Sequence, residues 1–262
     1  MAHAELEILP RQLPIEEYRA AFDRDGFVAV DLFSADEVKR MRQMVHDLVA
    51  SPSSDHPRLR VFAASQEPVP GLDPDNPYAV YKVVNTPLAG DDWFGLIMDP
   101  QVLGIVAGLI GPDVNFHMGF LRLRPPGLHV QEGWHRDFDS ERHTSPGLIT
   151  ALTYLDEMPI ESGPTQVVPG SHRDAIDLAA LETAPIQVPE PDQIVHATAR
   201  PGTVLFLDCL TVHSVADNRT SKNRSILLHE YKAADAVEID ENDAAFGDLP
   251  LARAGWTAQA PA

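Results

Sequence analysis

Apolar residues recur at helical spacing through the first third of the chain and at strand spacing through most of the rest. IleGluGluTyrArgAlaAlaPhe (15–22) repeats its apolar positions with the period of an amphipathic helix. GlyPheValAlaValAsp (26–31) is a short apolar run after a glycine and reads as a strand. Ser34 opens SerAlaAspGlu, with Glu37 three positions later, which is a capping-box pattern. The helix that follows puts Val38, Met41, Val45 and Leu48 on one face. Residues 51–77 are rich in Pro, Ser, Asp and Gly and read as a long loop. AlaValTyrLysValVal (79–84) predicts a strand, and residues 93–110 a helical stretch stopped by GlyProAsp at 111–113.

From residue 114 short β-like runs are broken by Pro, Gly and Asn. They occupy 114–124, 148–155, 166–169, 203–207 and 225–231. Many short strands with turn signals between them predict a sandwich or barrel. The expected architecture is mainly β with flanking helices. A helical N-terminal third (about 15–110) packs on a double-sheet jelly-roll core (about 114–232), in one domain spanning 1–262. After 233 the chain carries Asp235, Glu238, Asp240, Glu241, Asp243 and Asp248. That acidic tail reads as a solvated segment, with Trp256 a candidate anchor.

Composition narrows the function classes. The 262 residues suffice for a sizeable core, and the net charge of −19 disfavours nucleic-acid or anionic-membrane partners. The single cysteine, Cys209, rules out an internal disulfide and reads as a buried structural thiol. No apolar run approaches the roughly 18 residues of a membrane span. The opening segment lacks a basic stretch followed by an apolar core, so a cytoplasmic location is the default expectation.

The chemistry concentrates in TrpHisArgAspPhe (134–138). In an extended segment residues two apart face the same way. His135 and Asp137 therefore converge, and Arg136 points elsewhere. ArgProGlyThrValLeuPheLeuAsp (200–208) is a turn entering a buried strand, and ThrValHisSer (211–214) follows and delivers His213. A polar turn at 217–223 then leads to Arg224 at the start of another apolar strand. Two imidazoles and a carboxylate suit a non-haem Fe(II) centre with open positions. An arginine offers a planar fork to a carboxylate.

Together these segments resemble the phytanoyl-CoA dioxygenase family of Fe(II)/2-oxoglutarate oxygenases, across residues 16 to about 232. AspGlyPheValAlaValAspLeuPheSerAlaAspGluVal (25–38) is similar to that family's N-terminal signature. TrpHisArgAspPhe resembles its first two ligands, and GluSerGlyProThrGlnValValProGlySerHisArg (161–173) its turn ending in ProGlySerHis. The approach to His213 resembles that to its third ligand. The resemblance implies Fe(II) held by His135, Asp137 and His213, with Arg224 on the distal carboxylate of 2-oxoglutarate. It also points to Lys82 as a second cosubstrate contact. The family's usual serine two positions after the last histidine is Val215 here, and Ser214 precedes it as the candidate hydroxyl. Phe138, His143, Arg122 and Trp134 are candidate substrate contacts.

The activity implied is hydroxylation of an unactivated C–H bond of a small metabolite, consuming O2 and 2-oxoglutarate and releasing succinate and CO2. Asp137 argues against halogenation, which needs that metal position for halide. Desaturation, epimerisation or cyclisation use the same triad. A non-catalytic jelly-roll sensor of a small ligand is the rival from another class, and Arg224 disfavours it.

Overall fold

The protein is described by a computed structural model covering residues 4–50, 56–64, 73, 75, 79–126, 132–174, 186–239, 246 and 249–254. The first helix, α1 (Ile15–Asp25), buries Tyr18, Ala21 and Phe22 and ends at Gly26, whose N–H donates to Phe22 O at 2.7 Å. Gly26 has φ of +83°, and a Cβ there would lie 2.2 Å from Thr211 Oγ1. Helix α2 (Ala35–Ala50) starts with the expected reciprocal cap. Ser34 N–H donates to Glu37 Oε2 at 2.7 Å, and Glu37 N–H donates to Ser34 Oγ at 3.4 Å. Val38, Met41 and Val45 are buried beneath it.

The stretch expected as one helix forms two, α3 (Asp91–Ile97) and α4 (Pro100–Ile110). Pro100 cannot continue a helix but suits a first turn. Asp99 caps the restart by accepting from Gln101 and Val102 N–H. Taken whole, Asp91–Ile110 is long and apolar enough to cross a membrane, contrary to the expectation from sequence. In the fold its Trp93, Ile97, Val102, Leu103, Ile105, Val106 and Leu109 pack into the protein core. The last helix is the short α5 (Asp137–Ser140).

The strands are β1 (Ala4–Glu5), β2 (Ile8–Pro10), β3 (Phe27–Asp31), β4 (Arg60–Ala63), β5 (Val80–Val84), β6 (Val114–Arg124), β7 (Glu132–His135) and β8 (Leu148–Tyr154). They continue as β9 (Thr165–Val167), β10 (Val195–His196), β11 (Thr203–Asp208), β12 (His213–Val215), β13 (Arg224–Ala233) and β14 (Leu249–Ala252). A large sheet runs β2-β3-β11-β8-β13-β6-β5-β4, with β14 also on β6, and a small one runs β1-β10-β9-β12-β7. This is a jelly roll. The N-terminal third is less helical than expected, because β2, β3, β4 and β5 all extend the large sheet. Strand β4 lies inside the segment expected to be loop throughout.

Successive side chains of a strand face opposite ways. Val28, Val30, Leu121, Ile149, Ala151, Val204, Phe206 and Leu227 point outward into the main core with the helices. Their alternates point inward, towards the small sheet. The described part of the tail is only partly solvated: Asp235, Val237 and Ile239 are exposed, but its end returns to the fold. Its β14 pairs with β6, Leu251 is buried, and Phe246 packs edge-on against Phe116 at 5.1 Å. Apolar contacts outweigh the acidic composition there. Trp256 lies outside the described residues.

His229 on β13 is buried among apolar neighbours, and burial pulls its pKa from 6.5 down to about 4. It folds as a neutral imidazole, so its contribution to stability is present above pH 6.5 and is lost as pH falls towards 4. His229→Asn is expected to melt lower at neutral pH, through lost packing, but to lose less melting temperature than wild type on acidification across that window. Equal acid sensitivity of the two proteins in a thermal melt series would remove His229 as a source of the slope.

Candidate metal centre

The triad is assembled at the adjoining ends of two neighbouring strands of the small sheet. His135 closes β7 and His213 opens β12, and the two are direct partners in the antiparallel ladder. Their ring centroids lie 4.2 Å apart. Arg136 continues the extended backbone with φ of −115°, and Asp137 starts α5. This near-strand geometry brings Asp137 to the same side as His135. Asp137 Oδ1 lies 3.4 Å from His213 Nε2 and 3.8 Å from His135 Nε2.

The hydrogen bonds around the triad orient it for a cation. His135 Nδ1 lies 2.7 Å from Gly133 O, and His213 Nδ1 lies 3.0 Å from Thr211 O. A carbonyl only accepts, so each Nδ1 carries the proton and each Nε2 presents its lone pair. Thr150 Oγ1 donates to Asp137 Oδ2 at 2.8 Å, which leaves Oδ1 on the side of the two Nε2 atoms. Two neutral imidazoles and one carboxylate with oriented lone pairs fit a divalent iron.

Both turns are pinned from behind. Leu210 N–H donates to Asp208 Oδ1 at 2.8 Å and Thr211 Oγ1 to Gly26 O at 2.9 Å. Val212 N–H donates to Ser171 Oγ at 2.9 Å, so the ProGlySerHis turn holds the segment that delivers His213. Phe138 N–H donates to Cys209 O at 3.1 Å, tying the Asp137 turn to the His213 turn. The Phe138 ring packs with Leu148, Cys209, Leu210 and Ala236.

The triad opens onto a cavity of about 350 Å³ between the sheets. The inward positions of the large sheet line it: Leu207, Thr150, Leu152, Leu228, Glu230, Met118, Phe120, Arg122, Lys82 and Val84. Lys82 and Arg122 are thus on its wall, and they are register partners. Arg224 faces the same way as Leu228 by the pleat, but it sits behind the wall, 2% exposed. Its Nη1 donates to Ser162 O at 3.3 Å. Its neighbour Tyr154 directs a buried hydroxyl towards Thr165, which lines the cavity. Tyr154 Oη and Thr165 Oγ1 lack a well-formed hydrogen bond within the protein. A guanidinium beside two such hydroxyls is a donor set suited to a carboxylate.

Four candidates lie elsewhere. Phe138 is buried in its own cluster, off the cavity, because its ring serves as the clamp just described. Trp134 alternates to the face opposite His135 and does not line the cavity. Ser214 alternates away in the same manner, and Val215 faces in. His143 is 2% exposed and stacks edge-on with His117 at 4.8 Å, behind the wall. Thr150, Tyr154, Thr165, Glu141 and Glu230 were not singled out from sequence. The strict alternation of LeuIleThrAlaLeuThrTyr (148–154) would have put Thr150 and Tyr154 on one face.

Thr150→Val keeps the shape and removes the hydroxyl that fixes Asp137. Metal affinity is expected to fall about 10–100-fold, the usual scale for losing an outer partner of a metal ligand, with little change in melting temperature. Calorimetric titration with Fe(II) or Mn(II) measures it, and unchanged affinity would dismiss Thr150 from this role.

Comparison with known proteins bears on the same residues. The chain is 27% identical over 240 residues to the ectoine dioxygenase of Sphingopyxis alaskensis, covering 82% of this chain and 74% of that one. The structure of EctD from S. alaskensis with 2-oxoglutarate and 5-hydroxyectoine superposes with a TM-score of 0.66 at 25% identity, covering 98% of this chain and 94% of that one. The alpha-ketoglutarate-dependent epimerase SnoN from nogalamycin biosynthesis shares the fold, with a TM-score of 0.68 at 21% identity over 84% of this chain and 83% of that one. The sequence pattern of the phytanoyl-CoA dioxygenase (PhyH) family matches residues 22–226, which contain the triad, the pinned turns and Arg224. The chain belongs to the phytanoyl-CoA dioxygenase family.

Proposed function

We propose that this protein is a non-haem Fe(II)- and 2-oxoglutarate-dependent dioxygenase that hydroxylates an unactivated C–H bond of a small metabolite. The observation that carries the reading is the convergence of His135 Nε2, Asp137 Oδ1 and His213 Nε2, with Oδ1 3.4 Å from His213 Nε2 and 3.8 Å from His135 Nε2, at the wall of the cavity. Its relatives in sequence and fold include ectoine dioxygenases, and one such structure holds 2-oxoglutarate.

Bound iron, with 2-oxoglutarate and O2, supplies the oxidant that replaces C–H by C–OH, one oxygen atom entering the substrate and the other the succinate formed beside CO2. The chain's own residues hold and orient the reactants. His135, Asp137 and His213 would hold the metal at the cavity wall. Arg224, with Tyr154 and Thr165, receives the distal carboxylate of 2-oxoglutarate, and Lys82 adds a second positive charge on the wall. Leu152, Leu207, Leu228 and Val215 form the apolar lining, which limits water near the reacting carbon. Asp137 occupies the position a halide would need, which favours transfer of oxygen.

Three measurements test this. His135→Ala, Asp137→Ala and His213→Ala should each lose Fe(II) binding and turnover; wild-type succinate release by any iron-reconstituted variant excludes that residue. Arg224→Lys keeps the charge and loses the fork, so the KM for 2-oxoglutarate should rise about tenfold, and Arg224→Ala about a hundredfold or more. An unchanged titration in both excludes the cosubstrate role. Turnover under labelled O2 in chloride buffer should give a product heavier by one labelled oxygen. Chlorination defeats the assignment of Asp137, loss of two hydrogens moves the enzyme to desaturation or cyclisation, and binding without succinate release makes it a sensor.

A further inference from the structure

The cavity is charged at two separate places, although the protein as a whole is strongly acidic. Near the triad stand Glu230 on β13 and Glu141 just after α5, both on the cavity wall. Glu230 is 6% exposed, and its Oε2 meets no hydrogen-bond donor. Its carboxyl neighbours Glu141, and ligand atoms of Glu230, Glu141 and His117 all lie within 4.8 Å of one another. His117 is fully buried behind the wall, with Nε2 3.5 Å from Glu141 Oε2. A buried carboxylate oxygen without a donor costs stability unless something arrives to satisfy it.

The opposite charge stands further along the same strands. Arg122 on β6 is paired in register with Ile226, four residues before Glu230 on β13, and Arg60 on β4 lines the same cavity. Four residues of strand span roughly 13 Å between Cα positions, and long side chains shorten the gap between the charges. Aromatic faces lie between and beneath the cations: Arg122 sits 5.4 Å from the Phe120 ring centroid and Arg60 6.0 Å from that of Phe62. The basic wall is therefore held in place, with flat apolar surface beside it.

We propose that the substrate is a small dipolar molecule, a free amino acid or close relative, whose protonated amine sits on Glu230 and Glu141 and whose carboxylate faces Arg122 and Arg60. The proposal rests on the oxygenase reading and names the substrate class of that site. Burial, then the charges of Glu141 and Asp137, push the Glu230 carboxyl well above the usual carboxylate range. Two carboxyls this close repel each other, and an ammonium group between them offsets that repulsion. A second divalent metal at His117, Glu141 and Glu230 would satisfy the carboxylates too. The two occupants compete for the same carboxylates, and a titration with Mn(II) tells them apart.

The test is a succinate-release screen of the iron-loaded protein with the common L-amino acids and their ω-amino relatives. Each is paired with its N-acetyl derivative and its methyl ester. The expected result is that at least one free amino acid raises succinate release tenfold or more over the substrate-free rate, and that both capped forms fail to. Glu230→Gln or Glu141→Gln should raise the KM for that amino acid at least tenfold, more than it changes kcat. Arg122→Gln should weaken the preference for the free acid over its ester. Glu141 is more exposed than Glu230, so its variant serves if Glu230→Gln fails to fold. The proposal is overturned by equal stimulation from the N-acetyl forms, by an unchanged KM in a folded Glu variant, or by no stimulation from any member of the panel. It is also overturned by a second equivalent of Mn(II) that binds wild type and is lost in Glu230→Gln. If 2-oxoglutarate binding and substrate-free succinate release persist in wild type through those failures, only the substrate class falls. If they too are absent, the oxygenase reading falls with it.

Discussion

The pleat of the large sheet's central strands governs this molecule. Every second side chain of β6, β8, β11 and β13 enters the main core with helices α1 to α4, and the alternates form the inner wall of the cavity. A slip of one residue in any of these ladders would exchange the two sets, sending Thr150, Arg224 and Glu230 into hydrocarbon and Ile149 and Leu227 into the site. The core therefore fixes the chemistry. Burial of Ile149, Ala151, Phe206 and Leu227 holds the register that aims Thr150 at Asp137 and puts Arg224 on the same face of β13 as the cavity-lining Leu228 and Glu230.

The small sheet has less apolar surface to fix its position, and it relies on hydrogen bonds instead. His213 lies at the exit of a turn held within itself through Asp208 and from distant parts of the chain through Gly26 and Ser171. Asp137 lies at the start of a turn bolted to the first by the Phe138 amide and ring. Such polar anchoring positions a side chain more narrowly than packing alone, which suits ligands that must converge on one ion. It also explains why Phe138 and the ProGlySerHis turn belong with the metal site without touching the cavity.

The electrostatics follow from the same layout. Rows of inward residues cross the strands, so one row groups Thr150 with Glu230 and another groups Tyr154 with Arg122 and Lys82. Charges of one sign gather on the cavity wall: Glu141, just after α5, joins Glu230, and Arg60 on β4 joins Arg122. Like charges held together in a low-dielectric cavity are costly and are offset by ligands of opposite sign. Arg224 lies one inward position beyond the row of Tyr154 and Arg122.

By itself the sequence determined the period of each element, and with it the helices α1 and α2, the main strands of the jelly roll, and the three side chains proposed to hold a metal. Those features are local. A capping box, a strand alternation and a His-x-Asp pair are written within a few residues, and the resemblance to a family tied the distant His213 and Arg224 to them. The tertiary structure alone decided the rest. Pro100 splits an apolar stretch because Asp99 caps a new helix, and the acidic tail joins β6 because Leu251 and Phe246 find apolar partners 130 or more positions away in sequence. Ser214 and Trp134 lost their expected contacts to the alternation of β12 and β7, which depends on which face the facing sheet covers. Glu230, Glu141, Tyr154 and Thr165 have no shared motif in sequence. They meet because strands far apart in the chain lie side by side, and only the ladder pairing of those strands could show it.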